Sequence, residues 1–130
     1  MRFTISDDAH FSFNSLSGRS RGDITPILIE VSVEKIFNAW KATDSGRYFF
    51  KADSGDAKIF KIDRATAWIT DFDEVWAPIV DSRSEDPAHI TFADGRHTFT
   101  ALKNFGYKRI SVVVPTVKAE ILSKTFGALD

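Results

Sequence analysis

The segment FADGRHTFTALKNFGYKRISVVV, residues 92–114, constrains this chain more than any other. It reads as a strand, a tight Asp94-Gly95 turn, a helix over residues 95–105 and a second strand over residues 110–114. A strand, helix and strand this closely spaced require a sheet with helices packed on it, so the expected class is α/β. The turn is also where chemistry can sit. A helix start presents unbonded backbone N–H groups and a partial positive charge. Gly95 permits a tight turn and close approach of a ligand. Arg96 adds planar donors suited to phosphate, His97 a further donor, and Thr98 a hydroxyl. Spacing alone leaves two readings open: an anion site, or a helix start capped by Asp94 with Arg96 turned to water.

The rest of the chain reads as short alternating elements. Residues 2–5 and 10–13 suit strands joined at Asp7-Asp8, and residues 15–23 suit a Gly- and Ser-rich loop carrying Arg19 and Arg21. ILIEV, residues 27–31, reads as a strand. Ser32 is placed to cap a helix over residues 33–42, in which Val33, Ile36, Phe37 and Trp40 fall on one face. Asp44-Ser45-Gly46 reads as its end, RYFFKA (residues 47–52) as a strand, and residues 53–56 as a turn.

A helix is expected over residues 58–68, with Asp71, Asp73 and Glu74 clustered in the next connection. VWAPIVD, residues 75–81, reads as extended because Pro78 steers Ala77 away from helix. SRSEDPA, residues 82–88, reads as a charged loop, followed by a strand over residues 89–92. A last helix spans residues 117–126, with Gly127 as its stop.

Bulk properties narrow the function. At 130 residues and 43% hydrophobic content the chain suits one domain with a real core. Lys plus Arg is 17 and Asp plus Glu is 18, a formal charge of −1, so nonspecific wrapping of duplex DNA is disfavoured and any nucleic-acid contact needs a local patch. The absence of cysteine excludes disulfides, thiolate zinc and cysteine catalysis, and suits a cytoplasmic location. No signal peptide and no apolar run long enough for membrane insertion are visible. Asp71, Asp73 and Glu74 have the oxygen chemistry for Mg²⁺, yet such residues in a connection are commonly solvated. His10, His89 and His97 are too dispersed to suggest a metal site.

The segment at residues 92–114 resembles the signature of the ParB/sulfiredoxin superfamily: an aromatic strand, a Gly-x-[His/Arg]-Arg phosphate-binding turn, an Ala-Leu-rich helix, a Gly and an apolar strand. VWAPIVD is similar to that fold's Pro-Pro-Ile-x-Val strand, and VKAEILSKTFG to its closing helix, so the resemblance covers residues 58–127. Residues 1–57 then supply N-terminal strands and one helix of the same 130-residue domain. Within the superfamily the chain looks most like the plasmid fertility-inhibition factors, which carry an Asp-Gly-Arg-His-Arg turn and an aromatic-rich helix similar to Phe37-Asn38-Ala39-Trp40.

The resemblance implies a small mixed sheet flanked by helices and an inhibitor of conjugative plasmid DNA transfer. It implies nucleotide or nucleic-acid phosphate at Gly95, Arg96, His97 and Thr98, with ATPase and DNase activity ascribed to some members. Gly95 matches the turn glycine and His97 the phosphate-contacting histidine. Arg96 stands where sulfiredoxin has its catalytic cysteine, which removes that chemistry. Thr98 stands where the family has its phosphate-binding arginine, a departure that weakens the argument for hydrolysis. If the chain is an enzyme, ATP and Mg²⁺ are the implied cofactors, with Asp94 holding the ion or orienting water. The alternative is a non-catalytic inhibitor or immunity protein on the same fold, bound to a component of a transfer or toxin system. A partition-type DNA-binding regulator is a third reading, disfavoured because no helix-turn-helix domain is visible.

Overall fold

A computed structural model describes residues 1–7, 9, 25–50, 58–83 and 86–128. The expected strand at residues 10–13, the loop at residues 15–23 with Arg19 and Arg21, and the turn at residues 53–56 lie outside the described residues. The chain is mixed α/β. Its elements run β1 (Arg2–Thr4), β2 (Pro26–Ser32), α1 (Val33–Lys41), α2 (Asp44–Phe49), α3 (Ile59–Phe72), β3 (Glu74–Trp76), β4 (Ile79–Arg83), β5 (Asp86–Asp94), α4 (Arg96–Phe105), β6 (Arg109–Pro115), a 3₁₀ turn (Thr116–Lys118) and α5 (Ala119–Phe126).

The strands form two sheets. One has the order β2-β6-β4-β5, mixed because β6 runs antiparallel to β2 but parallel to β4. The other is a parallel pair, β1 beside β3. The stretch at residues 75–81 is therefore extended but serves both sheets, with Ala77-Pro78 as the junction. Ala77 N–H donates to Thr4 O (2.8 Å), and Pro78 O accepts from Val113 N–H (2.8 Å). Proline has no N–H to offer a ladder, which suits it to a break between strands.

Three expectations are corrected. Within RYFFKA, Arg47, Tyr48 and Phe49 belong to helix α2 rather than to a strand, and Lys51 and Ala52 lie outside the described residues. Thr43, not the end of α1, decides this: its hydroxyl accepts from Gly46 N–H (3.1 Å) and donates to Trp40 O (2.6 Å), so the chain re-enters a helix at once. Gly46 lets that turn rest on the end of α1, since a Cβ there would lie 2.0 Å from Trp40 O. The charged stretch at residues 82–88 is not one loop. β4 extends to Arg83 and β5 begins at Asp86, so most of it belongs to an antiparallel pair. Helix α3 also runs four residues past the expected 68, to Phe72, and ends at Asp73 in the left-handed region (φ 48°). Asp71 is thus helical, Asp73 a cap and Glu74 a strand residue ion-paired with Arg2. Among the described residues no group of His, Asp and Glu has the makings of a metal cage.

The core is aromatic at one end and aliphatic at the other. Trp40 is fully buried and meets the rings of Phe49 (5.0 Å), Phe50 (5.3 Å), Phe92 (4.6 Å) and Phe99 (6.0 Å), mostly edge-on. Val31, Ile110, Val112, Val114, Leu122 and Phe126 continue the core beneath α5. Ser32 caps α1 as expected, accepting from Lys35 N–H (3.2 Å). No helix of the described residues is long and apolar enough to cross a membrane.

One buried ion pair pins the 3₁₀ turn to the sheet. Lys118 Nζ lies 2.6 Å from Asp81 Oδ1 and also donates to Ser82 O, and Asp81 is only 6% exposed. Asp81→Ala strands the Lys118 charge and is expected to cost about 3 kcal/mol in urea denaturation. Replacing both partners, Asp81→Leu with Lys118→Met, is expected to recover most of that loss.

Candidate functional site: the Gly95 turn and the groove beside it

The turn forms as the sequence predicts. β5 ends at Asp94, Gly95 is left-handed (φ 90°, ψ 17°), and α4 starts at Arg96. Phe99 N–H donates to Gly95 O (2.8 Å) in the first helical bond. Asp94 does not cap the helix from outside; its Oδ1 accepts from the adjacent Gly95 N–H (2.9 Å), and the N-cap residue, Gly95, has no side chain to offer. Gly95 is required twice over. Its φ is one that side chains avoid, and an added Cβ would lie 2.7 Å from Pro78 Cα.

Arg96 and His97 both rest on Phe49, a fully buried ring of α2. The Arg96 guanidinium carbon lies 5.2 Å from the ring centroid, and the His97 ring lies 5.1 Å away, edge-on. Arg96 is therefore half-buried over an aromatic face rather than turned to water. His97 Nε2 accepts the Lys58 backbone N–H (3.1 Å), immediately before α3. This nitrogen carries no proton in that bond.

The consequence is electrostatic. The N-terminus of α3 meets the first turn of α4 at the His97 ring, which takes the N–H of Lys58, and neither N-cap residue, Lys58 or Gly95, makes a side-chain cap bond of its own. Two positive helix ends thus face one region. Lys61 sits in the first turn of α3, where a cation opposes the helix's own dipole, and Arg64 follows one turn later.

Thr98 opens onto a neighbouring groove of about 380 Å³ lined by Lys61, Arg64, Ala65, Trp68, Glu74 and Trp76, among others. Lys61, Arg64, Ala65 and Trp68 stand at i, i+3, i+4 and i+7, one stripe of α3. Glu74 and Trp76 are the alternate residues of β3, on the face opposite buried Val75. Neither Lys61 nor Arg64 is ion-paired with any described residue; Arg64 lies over the Phe60 ring (5.9 Å). Trp68 and Trp76 are 53% and 68% exposed.

The sequence pointed to Asp94, Gly95, Arg96, His97 and Thr98, and the structure brings these together. It missed Lys61, Arg64, Trp68 and Trp76. The i, i+3, i+7 spacing of Lys61, Arg64 and Trp68 is visible in the letters, but the approach of Trp76 from a different element is not. Comparison with protein-family models, with curated proteins and with solved structures gives no match.

Gly95 and Gly106 separate backbone strain from crowding. Both are left-handed, but nothing lies within 4 Å of a Cβ added at Gly106. Gly106→Ala is expected to cost about 1 kcal/mol from conformation alone. Gly95→Ala is expected to cost about 1–3 kcal/mol more through displacement of Pro78. Paired melting curves of the two variants check this.

Proposed function

We propose that this chain is a phosphate- or nucleotide-binding protein of the ParB/sulfiredoxin-like kind that acts as an inhibitor of conjugative plasmid transfer. The observation that supports binding is the meeting of two helix N-termini at His97, with Arg96 in the first turn of α4 and Lys61 and Arg64 in the groove that Thr98 lines. Such an array favours an anion with several oxygens over a single charge. Lys61 and Arg64 also offer cations on the Thr98 side, where the resemblance leads one to look for an arginine. The conjugation-linked role rests on the resemblance of residues 92–114 to the fertility-inhibition factors. Nucleotide with Mg²⁺ is the ligand this reading tests first.

A second reading, a non-catalytic inhibitor or immunity protein that holds a protein of a transfer or toxin system, is favoured by a different observation. Asp94 Oδ1 and His97 Nε2, the groups hydrolysis would draw on, both accept backbone N–H groups. Their bonds support the turn, so the geometry suits holding phosphate better than cleaving it.

Calorimetric titration of ATP, ADP and CTP, with and without Mg²⁺, tests the proposal. Saturable binding is expected, weakened about tenfold by Arg96→Ala, the equivalent of about 1.4 kcal/mol. Thr98→Arg, which restores a guanidinium, is expected to tighten polyphosphate binding by a similar factor. No heat from folded protein would leave the inhibitor reading in place without a phosphate site.

A further inference from the structure

The groove between α3 and β3 holds features that the phosphate reading does not use. Ordinary packing would bury large rings along a helical stripe. Here the stripe of α3 exposes Trp68 and Phe72, whose rings pack at a tilt with centroids 4.4 Å apart, and β3 exposes Trp76, which lines the same groove as Trp68. The same groove carries two cations, Lys61 and Arg64, without an ion-pair partner among the described residues, and the small Ala65 next to Arg64. Its one lining carboxylate, Glu74, is engaged by Arg2. One end of the groove reaches Thr98, in the first turn of α4.

We propose that this groove binds single-stranded nucleic acid, with bases stacked on Trp68 and Trp76 and backbone phosphates on Lys61 and Arg64. The proposal deepens the phosphate reading, on which it rests for the strand's end at Thr98. Exposed rings flanking cations in one cleft match what unpaired bases need, because every base offers a flat face and every linkage a charge. Duplex DNA stacks its bases internally and leaves the two tryptophans nothing to hold. A near-neutral chain also lacks the wide basic surface a duplex requires. A protein partner is less well matched, since lysine is depleted at the centre of protein interfaces while Lys61 lies inside this groove. The carboxylates Asp71 and Asp73 stand at the far end of α3, so the strand's path is confined to the half between Thr98 and Trp68.

Anisotropy titration of a labelled oligothymidylate of about 12 nucleotides, at several salt concentrations, tests this. Trp68→Ala with Trp76→Ala is expected to weaken binding by at least about tenfold. Both side chains are more than half exposed, and circular dichroism verifies that the variant folds. Lys61→Ala with Arg64→Ala removes two phosphate contacts and is expected to reduce the log–log salt slope by about 1.4. Lys103→Ala with Lys108→Ala, which removes two charges on another face, is expected to change neither.

Equal loss in the Lys103/Lys108 variant would reduce the binding to general charge attraction and overturn the proposal. So would failure of the oligonucleotide to bind, or a tryptophan variant that changes only self-association or capture of a protein partner. If nucleotides bind at the turn but the oligonucleotide does not, the groove proposal falls and the phosphate reading stands. If the oligonucleotide binds through Trp68 and Trp76 while nucleotides give no heat, the groove stands and the turn is not its phosphate anchor.

Discussion

The packing of Trp40 against four phenylalanines is the contact on which the rest of this structure depends. Its ring joins α1 to α2 through Phe49 and Phe50, to β5 through Phe92 and to α4 through Phe99. Rings of this size supply most of the dispersion that a small domain can collect at one point. Trp40 Nε1 has no hydrogen-bond partner among the described residues, so the cluster gives up one polar contact to keep the rings together. Of these four, Phe49 is the one that touches the site. Arg96 and His97 both lie against its ring, which places these two side chains of the turn directly on the core rather than on a loop.

Much of the fold was legible because its signals are short-ranged. Ser32 and the apolar stripe of α1 announce that helix, and Asp94-Gly95 followed by an amphipathic stretch announces α4. The turn residues were found for the same reason: Asp94 to Thr98 are neighbours in sequence as well as in space. The misreadings share an opposite cause. RYFFKA looks like a strand because its rings are consecutive, yet a single hydroxyl, Thr43, starts a helix at Asp44, four residues before the first of them. The stretch at residues 82–88 looks like a loop because it is polar, but strand pairing with a neighbour overrides local polarity at a sheet edge.

The groove was illegible for a stronger reason. Trp68 and Trp76 carry no local signal of function in the letters, and nothing there says that a helix and a strand will set them in one groove. The meeting of two helix starts at His97 is equally invisible. Net charge conceals the groove too: a chain at −1 can still set Lys61 and Arg64 in one cleft beside the start of α4.

The contact between Gly95 and Pro78 ties these two halves of the site into one inherited unit. Pro78 follows Trp76 by two residues and turns the chain from one sheet into the other, while Gly95 sits against its Cα. Lineages of this protein can therefore vary the wall of the groove or the turn only within the limits the other sets. A bulkier residue at 95 would be tolerated only on a background where the corner at 78 had already moved. The two positions should evolve as a pair, their substitutions epistatic, although one sits at a junction between strands and the other at the start of a helix.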